Sequence, residues 1–198
     1  MAIGSPSREA RLEQLRTYAR VQVRAGYASP DLVRAEVVEA AVDEFADLDH
    51  ATAMADGLID QAWVELARDQ RTWPEVTAYD RFQTALDDLR DAQIVVLEAV
   101  DDHWAADAEL RRLAAGGRRP RGIAYFTPAD VWHAVEHGML ELNVWHGDSA
   151  NVREGDALIT TVQHVFARHG LTTRFDEGRL EVGLAWERRQ VPPHSHVA

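Results

Sequence analysis

The chain has 198 residues, of which 46% are hydrophobic and 27% are charged, a balance typical of a globular protein with a proper core. It contains no cysteine, which excludes disulfides and thiolate chemistry, and its formal net charge of −12 opposes the basic footprint of a nucleic-acid binder. No stretch approaches the roughly 20 apolar residues of a membrane span, so we expect a cytoplasmic protein that binds neither membranes nor nucleic acid.

Three helices are predicted in the first third of the chain. Apolar residues recur at three- and four-residue spacing from Arg8 to Ala25, and Gly26 is a typical helix stop. Ser29 followed by Pro30 is a typical start for the second helix. A third periodic stretch covers residues 51–71, and the proline that follows at position 74 is expected to end it.

After these helices the pattern changes to short apolar runs rich in β-branched residues. Strands are predicted at Ile94–Val100, Arg121–Thr127 and Met139–Trp145, with helices between them. A further helix is predicted near Asp156–Arg168, and a closing hairpin turns at residues 176–178. The order predicts an α+β fold, in which an N-terminal helical segment precedes a roughly five-stranded mixed sheet with helices packed on it.

The order of the predicted elements divides the chain into three parts. Residues 7–72 form the helical segment and residues 75–189 form the sheet domain. Residues 190–198, which are polar and contain proline, are expected to form a flexible tail.

Several stretches resemble, in order, an actinobacterial family known only as a domain of unknown function. They are residues 18–33, 71–86, 121–126 and 134–144, and the most specific part is Trp73-Pro74-Glu75-Val76-Thr77. The resemblance covers most of the chain. It implies an intracellular bacterial protein and supplies no activity.

One departure from that family bears on function. Its members carry a cysteine cluster shortly after the first strand, whereas the matching stretch here, Val100–Leu110, has none. Either this protein has lost the role of that cluster, which is the favoured interpretation, or Asp102 and His103 replace the thiolates.

Acidic and histidine side chains follow the first and third predicted strands. If the first three strands are parallel, as β-α-β crossovers require, Asp102, His103, His146 and Asp148 share one edge of the sheet. There they would supply acid–base chemistry or hold a divalent metal. The competing interpretation is that these residues are ordinary turn and helix-cap composition.

The string His133-Ala-Val-Glu136-His137 spells the H-x-x-E-H motif of one group of zinc peptidases. On a helix the two histidines share a face, but that face lies opposite the apolar residues that should meet the core. A catalytic zinc also needs a third protein ligand. We therefore interpret this string as a short surface helix, and no metal or other cofactor is predicted.

Arg118, Arg119 and Arg121 lie in a glycine-containing loop that is a candidate anion-binding site. The loop lacks the spacing of a P-loop, and a solvated helix end followed by a glycine-rich loop is the favoured interpretation. Among the tryptophans, all interpreted as packing residues, Trp104 is the one whose exposure would matter because it adjoins the acidic and histidine pair.

The sequence therefore predicts a non-enzymatic binding or interaction module. Its partner would be a protein or a small molecule, and self-association into a homo-oligomer is compatible with the composition. The alternative is a small enzyme or metal-dependent binder with its site at Asp102, His103, His146 and Asp148.

Overall fold

A computed structural model describes residues 7–45 and 47–192. Within these residues the contacts define two compact units. The helical unit comprises residues 7–73 and 188–192, and the sheet unit comprises residues 74–187. No helix among the described residues is both long enough and apolar enough to cross a membrane.

The helical unit is built from three helices, α1 (Arg8–Ala25), α2 (Pro30–Phe45) and α3 (Leu48–Asp69). Gly26 ends α1 in the left-handed conformation, with a φ of 72°, as the sequence predicted. Ser29 Oγ accepts a hydrogen bond from a backbone N–H in the first turn of α2 at 3.2 Å, which confirms its capping role.

Small side chains dominate the seam between these helices. Ala19, Ala41, Ala51 and Ala55 are fully buried, and larger apolar residues pack around them. Because alanine occupies little volume, it lets helix backbones approach closely. The aromatic side chains of this unit are only partly buried and surround the seam.

The segment of residues 188–192 belongs to this unit. The Gln190 backbone N–H donates to Gln70 Oε1 at 2.7 Å, and its side-chain amide donates to the backbone carbonyls of Val23 and Arg24 at 2.9 and 3.1 Å. Residues 190–192 of the predicted tail are thus described, while residues 193–198 lie outside the described residues.

The sheet unit alternates helices with five strands. The α+β class, with helices first and a five-stranded mixed sheet after them, is confirmed. Its elements in chain order are α4 (Ala78–Asp91), β1 (Ile94–Leu97), α5 (His103–Ala115), β2 (Gly122–Tyr125), α6 (Pro128–His137), β3 (Met139–His146), α7 (Ala157–Arg168), β4 (Thr173–Asp176) and β5 (Arg179–Gly183).

The strand order is β1-β2-β3-β5-β4, and only β1 and β2 are parallel. The condition that the third strand also runs parallel is not met, because β3 pairs with β2 in the antiparallel sense. Asn143 pairs with Tyr125 at the end of β2, so residues 139–142 extend beyond β2 and pair with β5.

The short helix α6 explains this reversal. With 10 residues α6 is about 15 Å long, and it packs on β3. Its left-handed Gly138 leads directly into Met139, at the end of the sheet that β2 has just left. Since the helix does not carry the chain back to the start of β2, the next strand runs the other way.

The sheet has helices on both faces. One face carries Ile123, Tyr125 and Trp145 against Ala106 and Leu110 of α5. On the other face α4 and α7 meet, and Phe82 stacks on Phe166 with 5.9 Å between ring centroids. A Cβ on Gly122 would lie 2.5 Å from Leu158 of α7, so this position requires glycine.

Candidate ligand-binding pocket

The four residues predicted to converge at the strand ends are separated by the topology. Asp102 and His103 follow β1 at the start of α5, at the end of the sheet where β2 finishes. His146 pairs with Gly122, the first residue of β2, and so lies at the opposite end. Because β3 is antiparallel to its neighbour, Asp102 and His103 do not share one end of the sheet with His146.

Three of these four residues make local hydrogen bonds. Asp102 caps α5 and accepts from the Trp104 backbone N–H at 2.8 Å. Asp148 Oδ1 accepts from the Ala150 N–H at 3.1 Å within a turn. His146 Nε2 lies 3.0 Å from Asp156 Oδ2.

The Asp156 carboxylate also accepts from the Arg153 backbone N–H at 2.8 Å. This bond and the contact with His146 hold the pKa of Asp156 below its usual value, with the Arg153 bond as the larger cause. The contact between His146 and Asp156 joins the end of β3 to the start of α7, and we interpret it as structural.

Trp104 is 63% exposed, and its ring centroid lies 4.6 Å from that of His103. The nearby Tyr125 is buried, which raises its pKa to about 12 and keeps its hydroxyl protonated near neutral pH. This end of the sheet thus presents an exposed aromatic pair beside a helix cap.

The H-x-x-E-H residues lie on α6 as the helical pattern predicted. His133 and His137 are neighbours, with ring centroids 4.6 Å apart, while Val131 and Ala134 on the other side of the helix are buried. Nowhere in the described part of the chain does a group of three or more His, Asp or Glu side chains come together in a way that could hold a metal ion.

The arginine loop lies at the edge of the sheet. Arg118 and Arg119 line a groove of about 520 Å³ that runs along β1. Arg121 is directed elsewhere and donates to Thr161 Oγ1 at 3.2 Å. The three residues therefore do not act as one cluster.

A large cavity lies in the helical unit, where the sequence predicted no site. It has a volume of about 840 Å³ and opens between the start of α2 and the middle of α3. Its apolar wall is formed by Val23, Ala28, Pro30, Val33, Ile59, Trp63 and Val191.

Among the described residues that line this pocket, acidic side chains outnumber basic ones. Asp31, Asp56 and Asp60 supply three carboxylates, and Arg34 supplies one guanidinium. Arg34 makes a two-point contact with Asp56, with Nε–Oδ1 at 2.7 Å and Nη2–Oδ2 at 3.0 Å. This contact raises the pKa of Arg34, chiefly through the hydrogen bond. Two carboxylates remain without an ion pair among the described residues.

Two side-chain amides, one buried and one half-buried, line one end of the pocket. Gln22 is 4% exposed and donates to Tyr18 Oη at 2.8 Å and to Glu36. Gln190 lies against Gly26, where an added Cβ would approach its side chain to 2.7 Å. Both amides are held by hydrogen bonds, so this wall of the pocket is organised without a ligand.

A weak sequence signal for this pocket exists in α3. Ile59 and Trp63, one turn apart, make the apolar face of α3 wider than contact with two neighbouring helices requires. Asp56 and Asp60 repeat at the same spacing beside them. The pattern alone does not distinguish a pocket from a broad packing face, because it says nothing of what covers the stripe.

Comparison with protein families adds a classification. The family model described as "Domain of unknown function (DUF6891)" matches residues 8–190. The chain belongs to this family. The match includes both units and the pocket residues up to Gln190. No curated protein and no solved structure matches the chain.

Proposed function

We propose that this member of the DUF6891 family is a non-enzymatic binding protein that holds a small organic cation in the pocket of its helical unit. The observation that carries the proposal is a cavity of about 840 Å³ with an apolar wall and three carboxylates against one arginine. The ligand class is an amine with an apolar body.

The size and lining of the pocket support a small-molecule ligand. Pockets that bind such ligands usually measure about 300–1,000 Å³ and combine apolar walls with a few polar groups. Trp63 and Ile59 provide the surface against which an apolar body loses its contact with water. The hydrogen-bonded amides of Gln22 and Gln190 give the pocket polar groups at fixed positions.

The charge of the pocket supports a cationic ligand. Both oxygens of Asp56 are already bonded to Arg34, so this pair offers little to a ligand of either charge. Asp31 and Asp60 remain, and they would repel a carboxylate or phosphate and attract an ammonium group. An ammonium donor paired with a carboxylate makes a stronger hydrogen bond than a neutral donor does.

The proposal also takes the protein to act in the cytoplasm of an actinobacterium. This rests on the resemblance carried by residues 73–77 and 134–138.

Isothermal titration calorimetry with three matched compounds tests the proposal. We expect 2-phenylethylamine to bind, 2-phenylethanol to bind more weakly and phenylacetate not to bind. Asp60→Asn should weaken amine binding by about tenfold, the magnitude of one charge-assisted hydrogen bond. Asp49→Asn is the matched control, because Asp49 is an exposed residue of α3 that does not line the pocket.

Each other result counts against the proposal. Equal binding of phenylacetate and the amine would overturn the cationic class of ligand. If neither 2-phenylethylamine nor the larger amines tryptamine and dodecylamine bind, the pocket is not an amine site. An Ile59→Trp variant, which fills the pocket, should abolish binding, and retained binding would place the ligand elsewhere.

A further inference from the structure

Strand β1 is an edge strand. It lies at one end of the strand order and, among the described strands, pairs only with β2. The Leu97 carbonyl accepts from the Phe126 N–H at 3.3 Å, on the side of β2. Because backbone groups alternate between the two sides of a strand, those of Val95 also face β2, and those of Ile94 and Val96 face outward.

The groove that Arg118 and Arg119 line runs along this side of β1. Helices flank it, with Arg90 on α4 and Glu109 and Leu113 on α5. The groove has a volume of about 520 Å³, and of the two outward-facing residues that line it Ile94 is 1% exposed and Val96 is half-buried, so the outward groups of Val96 are the accessible ones. Exposed edges of this kind are templates for pairing with another extended chain.

The groove is basic within a protein of net charge −12. Its other charged groups are already paired. Arg90 binds Asp87 and Glu98 at 2.7 and 2.8 Å, and Glu109 binds Arg112 at 2.7 Å. Arg118 and Arg119 have no ion pair or side-chain hydrogen bond with any other described residue.

From this geometry we infer a second binding site, in which an extended acidic peptide from a partner protein adds as a sixth strand beside β1. The outward backbone groups of Val96 would pair with the peptide backbone, as in β-strand addition. Arg118 and Arg119, at the N-terminal end of β1, would pair with its carboxylates.

A single peptide fits this edge better than a second copy of the protein. In a second copy the same two helices flank β1, so pairing two copies would crowd four helices along one seam. The carboxylate nearest the far end of β1, Glu98, is also engaged by Arg90 and by Gln83 Nε2 at 2.9 Å. It is therefore not available to the arginines of another copy.

Fluorescence anisotropy with labelled eight-residue peptides tests this inference. The probe alternates valine with glutamate, and two further peptides carry glutamine or lysine in place of glutamate. We expect the glutamate peptide alone to bind, and its affinity to fall as salt is raised. The double variant Arg118→Glu, Arg119→Glu should weaken binding by at least about tenfold.

The matched control for charge is the double variant Arg8→Glu, Arg71→Glu. Both residues are exposed on the helical unit, and the change in net charge is the same. Its affinity for the probe should equal that of the wild type. An equal loss in both double variants would overturn the site and indicate an effect of net charge.

Backbone pairing is tested separately on the protein and on the peptide. Val96→Pro removes an outward N–H, which an edge strand tolerates, and should abolish binding. Because this variant risks misfolding, the probe is also methylated on alternate amide nitrogens. Methylation of one alternate set should abolish binding and methylation of the other should not, whereas equal effects of the two would overturn strand addition.

Two further outcomes would replace the inference. Equal binding of the glutamine peptide would remove the role of the arginines. Failure of all peptides, together with a concentration-dependent dimer that Val96→Pro abolishes, would identify a second copy as the occupant. Neither outcome affects the amine pocket, which lies wholly in the helical unit.

Discussion

The two units of this protein fill their interiors in opposite ways. Between the helices of the helical unit, small residues such as Ala19 and Ala55 are fully buried, while aromatic residues such as Trp63 remain partly exposed. The core of the sheet unit instead holds large aromatic rings, among them Phe82 and Phe166. The comparison teaches that a seam closed by small residues leaves large side chains free to line a pocket, and Trp63 does so.

The largest expected effect is in the aromatic core. Phe82 is fully buried, and its ring contacts those of Phe126, Phe166 and Trp186. Phe82→Ala should lower the free energy of unfolding by about 3–5 kcal/mol, because it removes apolar contacts and leaves a cavity. Chemical denaturation measures the change.

The control for this substitution is the partly buried Phe45 of the helical unit. Phe45→Ala should cost clearly less, since its site is open to solvent and leaves no closed cavity. Equal losses in the two variants would break the contrast between the units.

In the seam of small residues, a larger side chain should destabilise the protein, because the space between the helices is already filled. Ala55 is fully buried on α3, and Ala55→Leu should destabilise the protein by about 1–3 kcal/mol, because the helices would have to move apart. The same measurement applies. A stabilised Ala55→Leu variant would show that the helices are loosely packed at this seam and would contradict their close approach.

Two glycines of the helical unit should respond to alanine with opposite signs. Gly26→Ala should cost roughly 1–2 kcal/mol or more, since the left-handed backbone disfavours a Cβ and Gln190 lies 2.7 Å from its position. Gly57, within α3, has nothing within 4 Å of an added Cβ, so Gly57→Ala should stabilise by roughly 0.5–1 kcal/mol. If both variants changed the free energy of unfolding with the same sign, the contrast between the two backbone positions would be contradicted.

The smallest effect concerns pH at the edge of the sheet unit. The folded pKa of Asp156 lies below its usual value, so the carboxylate contributes stability above that usual value and loses it as pH falls through the folded pKa. Asp156→Asn should therefore be less stable than the wild type near pH 7, and the difference should shrink as pH falls through the folded pKa.

The variant His146→Ala separates the two causes of this pKa shift. Because the Arg153 backbone bond is the larger cause, His146→Ala should keep most of the acid dependence that Asp156→Asn removes. Unfolding curves at several pH values measure both variants. If His146→Ala abolishes the dependence completely, the imidazole is the main partner instead.

Sequence alone determined the fold class and most helix ends. These features depend on residues a few positions apart, such as the cap at Ser29 and the stop at Gly26. Apolar periodicity likewise indicated which faces of the helices are buried. The family resemblance on residues 8–190 agreed with this level of description and supplied no activity.

Tertiary structure alone decided where chemistry-bearing residues meet. The direction of β3 depends on where α6 packs, and this separated Asp102 from His146. The pocket exists because α2, α3 and the segment at Gln190 meet around Trp63, and the open edge of β1 follows from its place in the strand order. Such features arise from contacts between residues far apart in the chain, which local patterns do not encode.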